Sequence, residues 1–130
     1  MSIAESLARY IATLVDVEFG EMLFIGTAPP TSQNAISTWS VIANGGTVQA
    51  RNVNGSVFKD YAFQVYFRDP SRKTVYDRLY AFEQSMNQGL PTIEDVEVTG
   101  VVVTPPIDQE IDAEGRKVAR CEITINVFEE

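Results

Sequence analysis

Val57-Phe58-Lys59-Asp60-Tyr61-Ala62-Phe63-Gln64-Val65-Tyr66-Phe67-Arg68 is the stretch on which the fold turns. Tyr61, Phe63, Val65 and Phe67 share one side of an extended chain. Asp60, Ala62, Gln64, Tyr66 and Arg68 share the other. Period-two alternation of this kind marks a strand with one buried and one solvated face. A sheet with only one apolar face needs a layer to cover it, so amphipathic helices are expected elsewhere in the chain.

Two segments supply them. Over residues 2–16, Ile3, Leu7, Tyr10, Ile11, Leu14 and Val15 recur at helical spacing, and Ser2 with Glu5 has the form of a capping box. After the long strand, Asp69-Pro70 is read as a helix start, with Asp69 as cap and Pro70 in the first turn. Val75, Leu79, Phe82 and Met86 then line one face, and Gly89 and Pro91 close the helix.

The remaining segments read as strands and loops. Residues 22–25 are a short apolar run ending at Gly26, followed by a loop through Pro29-Pro30. Trp39, Val41 and Ala43 alternate up to Asn44-Gly45-Gly46, which reads as a hairpin turn returning along residues 47–51. Asn52-Val53-Asn54-Gly55 is a second turn. Strands follow at 96–103 and 119–127, where Ala119, Cys121, Ile123, Ile125 and Val127 face inward. Between them, residues 104–115 read as an acidic loop. The expected fold is α+β, in the order α-β-β-β-β-α-β-β. Its sheet is mainly antiparallel, with both helices on one face, and residues 1–130 form a single domain.

Composition narrows the function. The 130 residues include one cysteine and no histidine. That removes disulfide frameworks, cysteine zinc clusters and every nucleophilic or metal site that depends on imidazole. The net charge of -8 disfavours phosphate backbones and anionic membranes as partners. Glu5, Arg9 and Asp16 interrupt the first apolar stretch, so it lacks the form of a signal peptide. Acids at alternate positions over 108–114 resemble a calcium loop, but Cys121 stands where a frame begun at Glu110 needs its closing glutamate. Trp39, Tyr61, Phe63 and Tyr66 as a base-stacking platform, and Glu94, Asp95 and Glu97 as an acid–base group, both yield to the simpler readings of core packing and a solvated strand end. No cofactor, metal or catalytic residue is expected.

Charge is segregated along the chain. Residues 1–50 carry -3, residues 51–78 carry +3 and residues 79–130 carry -8. A basic middle and an acidic end of different copies would attract one another, and contact between two different patches builds rings. On this reading the basic side of a subunit or tube interface is Arg51, Asn54, Arg68, Arg72 and Lys73. The acidic side is Glu94, Asp95, Glu97, Asp108, Glu110 and Asp112.

The whole chain also resembles a known family. Residues 22–26 (Met-Leu-Phe-Ile-Gly), the Ala28-Pro29-Pro30 loop, the Gly-Gly segment and the aromatic strand ending at Arg68 occur in order. They are followed by the helix around residues 76–82, the Pro-Pro segment, the turn at 112–116 and the closing strand 120–128. This resembles the tail terminator, or minor capsid, proteins of long-tailed bacteriophages. The resemblance implies an α+β domain that forms a ring, commonly a hexamer, on the end of the tail tube. Its partners would be copies of itself, the tube protein and the head connector, and its place the tail-head junction of a virion made in the bacterial cytoplasm. Other phage neck or tail-tube proteins and a small-molecule-binding regulatory domain are the alternatives.

Overall fold

The computed structural model describes residues 2–26, 37–51, 53–94, 96–111 and 115–129. Two helices and six strands follow in the order α1 (Ile3–Leu14), β1 (Leu23–Ile25), β2 (Thr38–Arg51), β3 (Val57–Asp69), α2 (Arg72–Met86), β4 (Glu97–Val103), β5 (Ile107–Ile111) and β6 (Lys117–Glu129). The strands form one mixed sheet in the order β1-β2-β3-β6-β4, with β5 also on β6. Among the described strands only the β1–β2 pair is parallel. The fold is the expected small α+β one, with both helices on a single sheet face.

The long strand pairs along its full length with β6, from Val57 opposite Glu129 to Asp69 opposite Lys117. Its odd-numbered side chains carry the core. Phe63, Val65 and Phe67 meet Ile123, Cys121 and Ala119 across the register, all at most 3% exposed. Leu7 and Ile11 of α1 and Val75, Leu79, Phe82 and Met86 of α2 close over them. Side chains of this size contribute roughly 1.5–3 kcal/mol each when fully buried. Trp39 sits at one end of this layer, its ring centroid 4.5 Å from Phe67 and 5.9 Å from Phe82.

Three local readings are corrected. Gly45-Gly46 is no hairpin turn: β2 runs straight through it, and residues 47–51 continue the pairing with β3 instead of folding back. One extra residue between Ala43 and Gly46 makes a bulge, and Gly45 absorbs it at φ 97°. Residues 107–111 of the expected acidic loop are strand β5, pairing Ile107 with Arg120 and Asp108 with Ala119. The Pro-Pro pair ends just before it, where missing N–H groups cost no ladder bond.

The cap of α2 is Ser71, not Asp69. The Ser71 hydroxyl accepts the Thr74 N–H at 3.3 Å. Asp69 ends β3 and braces the turn, accepting the Ser71 N–H at 2.8 Å and the Ser37 hydroxyl. At α1, Ser2 accepts the Glu5 N–H at 3.0 Å, as read. Its far end closes with Val17 N–H on the Ala12 carbonyl and Asp16 N–H on that of Thr13, which puts Asp16 at φ 60°. A left-handed residue here is the usual way for a helix to stop, although glycine fills it more cheaply. The Pro29-Pro30 loop and residues 112–114 lie outside the described residues.

Candidate interaction surfaces

Among the described residues both helices lie on one face of the sheet, and the other face is partly exposed, with Thr38 and Ser40 fully buried at one end. This open face is mixed in character. At one end Phe58 and Phe128 pack together with centroids 5.0 Å apart, and Phe58 is 40% exposed. In the middle the Asn126 amide donates to Asp60, and Tyr66 Oη donates to Gln64 Oε1 at 2.9 Å. At the other end Arg120 lies 3.3 Å from Glu122, and Arg68 Nη1 donates to Ser40 Oγ at 3.3 Å.

The predicted interface residues do not form one patch. Arg51 ends β2 and is exposed beside the 53–55 turn, where Asn54 Oδ1 accepts the Ser56 N–H at 3.1 Å and its hydroxyl at 2.7 Å. Arg68 lies ten residues further along β3 than Phe58, and Arg72 and Lys73 follow at the start of α2. Lys73 pairs with Asp77 at 2.6 Å on a highly exposed helix surface, a contact of small energetic weight. The basic segment of the sequence is therefore divided between the two ends of the sheet.

The acids divide as well. Glu97 pairs opposite Phe128, at the Arg51 end. Glu94 is exposed, and its backbone N–H is held by Ser6 Oγ at 3.1 Å, beside α1. Asp108 lies opposite Ala119, at the Arg68 end, and Glu110 continues the same strand. Asp95 and Asp112 lie outside the described residues. The structure does bring Lys59, Tyr61 and Glu129 together, with Lys59 Nζ 2.8 Å from one Glu129 oxygen and Tyr61 Oη 2.9 Å from the other. The Lys59 contact holds the Glu129 carboxyl below its usual range and raises the Lys59 ammonium. Burial, then Glu129, raises the Tyr61 phenol.

Cys121 is fully buried, its thiol 4.0 Å from the Leu79 carbonyl. Burial, with a smaller contribution from Glu83, pushes its pKa up to about 12. A thiol held protonated in this way is a packing group, not a nucleophile.

Two features escaped the sequence reading. One is a cleft of about 570 Å³ between the end of α1, the outer side of α2 and the starting edge of the sheet. Trp39, Phe67 and Phe82 form its apolar floor. Asp16 stands on the α1 side and Arg78 on the α2 side. No periodic signal announces it, because its residues come from six separate elements and turns. The other is Val53 itself, 111% exposed at the tip of the 53–55 turn; the sequence marks this turn, through Asn54, as an interface element without singling out its valine. An apolar residue between two asparagines in a turn was a readable signal. Among the described residues no group of three acids or cysteines is placed to hold a metal, and no helix is long and apolar enough to cross a membrane.

The architecture has a solved counterpart. A chain in the structure described as "Virion of native gene transfer agent (GTA) particle" superposes with a TM-score of 0.60 at 13% identity, covering 96% of this chain and 95% of that one. The two share an α+β fold over their full lengths. No family model matches the sequence, and no curated protein matches it either.

Proposed function

We propose that this chain is a structural protein of a phage-like virion, and more finely that it is a tail terminator. On this reading copies close into a ring, with six the expected number, that caps the tail tube and receives the head connector. The observation that carries the reading is the end-to-end structural correspondence with a chain of a gene transfer agent virion. The sequence resemblance to tail terminators points the same way, independently of that correspondence. The fold suits the role. One rigid sheet, braced by helices on one side, offers an open face, two ends and exposed turns for contacts with several neighbours.

The test is to mix the purified chain with purified tail tubes of the matching particle and to image the tubes by negative stain. A terminator adds density at one end of each tube and stops further addition of tube protein. Decoration along the tube wall, or growth of the chain itself into long tubes, assigns it to another neck or tail-tube role.

A further inference from the structure

We infer that neighbouring copies join head to tail, the Val53 tip of one entering the α1–α2 cleft of the next. This rests on the ring reading and names the contact that would build the ring. The two surfaces are complementary in shape and chemistry. Val53 is a fully exposed apolar knob on a turn, a place where an apolar side chain has no role within its own subunit. The cleft is walled by the partly exposed apolar Leu14, Val15, Val17 and Met22 over a nearly sealed base of Trp39, Phe67 and Phe82, and it has room for more than one side chain.

Charge is matched at the rim. Arg51 is exposed next to the tip; Asp16 lines the α1 side of the cleft, with Glu18 and Glu21 exposed further along the same connection, while Arg78 stands on the α2 side, so the match is to the α1 side of the rim. Asp16, among the residues lining the cleft, takes a left-handed backbone conformation that glycine would occupy with less strain. Arg9, stacked 4.5 Å over Phe19, fixes the same connection against α1.

Geometry forbids a copy from filling its own cleft. The tip lies at the Val57 end of β3 and the cleft at the Phe67 end, roughly 30 Å apart at about 3.3 Å per residue. The contact must therefore be between two different patches of two copies, and such contacts propagate, closing into a ring where the rotation between copies returns to its start and running on as a filament where it does not.

The experiment uses two variants at exposed positions, Val53→Asp on the tip and Ala81→Trp on the rim of the cleft, with light scattering on a sizing column. The wild-type chain is expected to assemble. Each variant alone is expected to need roughly tenfold more protein to assemble, the loss due to one buried valine or its equivalent. Mixed together, the two variants are expected to form a one-to-one dimer, because the tip of the Ala81→Trp chain still fits the cleft of the Val53→Asp chain. Wild-type assembly that both variants leave unchanged overturns this contact while leaving the ring intact. Weakening by Ala81→Trp alone also overturns it, by giving the cleft another occupant. A wild-type chain that is monomeric at every concentration overturns it too, and the ring then stands or falls on binding to tubes.

Discussion

Replacing Gly100 by alanine tests how tightly the β4 edge is fitted to the sheet. A Cβ built there lies 2.8 Å from Asn126 Oδ1, inside any normal contact distance. The neighbour is only a side-chain end, but it is not free to swing. The Asn126 amide donates to the Asp60 carboxylate on the neighbouring strand β3, which holds the side chain, and the Thr99 hydroxyl donates to the Asn126 backbone carbonyl at 3.2 Å, which fixes only the main chain there. Moving the amide breaks a hydrogen bond to a charged group. Such bonds contribute about 1.5–3 kcal/mol, and here less, about 1–1.5 kcal/mol, because both side chains are half-buried and water can replace the partner. Alanine in a strand recovers about 0.5 kcal/mol over glycine. The net expectation for Gly100→Ala is a loss of about 0.5–1 kcal/mol, read as a lower urea midpoint at unchanged slope. In an Asn126→Ala background the obstruction is gone, so the same substitution should stabilise by about 0.5 kcal/mol. That reversal of sign is the diagnostic result. An equal effect in both backgrounds would refute the reasoning.

Other predictions follow from single contacts. Ser71→Ala should cost about 1 kcal/mol by removing the α2 cap, and an unchanged urea midpoint would show that the hydroxyl does not cap the helix. Cys121 should resist thiol reagents in the native protein at pH 8 and react in denaturant. Because its pKa is raised in the folded state, the unfolded chain loses this proton first. Stability should fall as pH rises above about 9, by up to about 1.4 kcal/mol per pH unit, and Cys121→Ala should flatten that fall in urea titrations. Glu129 has the opposite sign. Its carboxyl is lowered in the folded state, so its contribution should be present above the ordinary carboxylate range and fade as pH drops through it. Glu129→Gln should reduce the acid dependence of the melting temperature.

The sequence was most legible where one residue period governed a long element. Alternation along 57–68 and 119–127 placed the two central strands and their buried faces correctly, and helical spacing placed Leu7, Ile11, Leu79 and Phe82 in the core. It misled where local chemistry had two outlets. Gly45 does take the positive φ that a turn would use, but β3 continues past it as a ready partner, so the strand bulges and goes on. Asp69 and Ser71 are both good caps, but the helix begins at Arg72, so the Ser71 hydroxyl reaches the Thr74 N–H while Asp69, two residues earlier at the end of β3, reaches only the Ser71 N–H. At residues 107–111 the acids suggested a loop, while the free edge of β6 recruited the segment as a strand.

The candidate surfaces were legible only in part. Charge counting along the chain found the basic segment, yet a long strand carries its first and last residues to opposite ends of the sheet. Arg51 and Arg68 therefore cannot serve one contact. The cleft was invisible because Asp16, Trp39, Phe67 and Arg78 are brought together only by the packing of α1 and α2 on one sheet face. Burial explains the aromatic residues there, and burial is what the alternation showed. That the packing stops short and leaves a recess is a property of helix placement, which no local pattern records.

Native mass spectrometry across a range of protein concentrations, with and without tail tubes, tests the central claim most directly. The ring account predicts one closed species of fixed copy number, six on the proposed reading, formed by the chain alone or on tube ends. An open series of masses growing with concentration, or a monomer that leaves tubes uncapped, would contradict it.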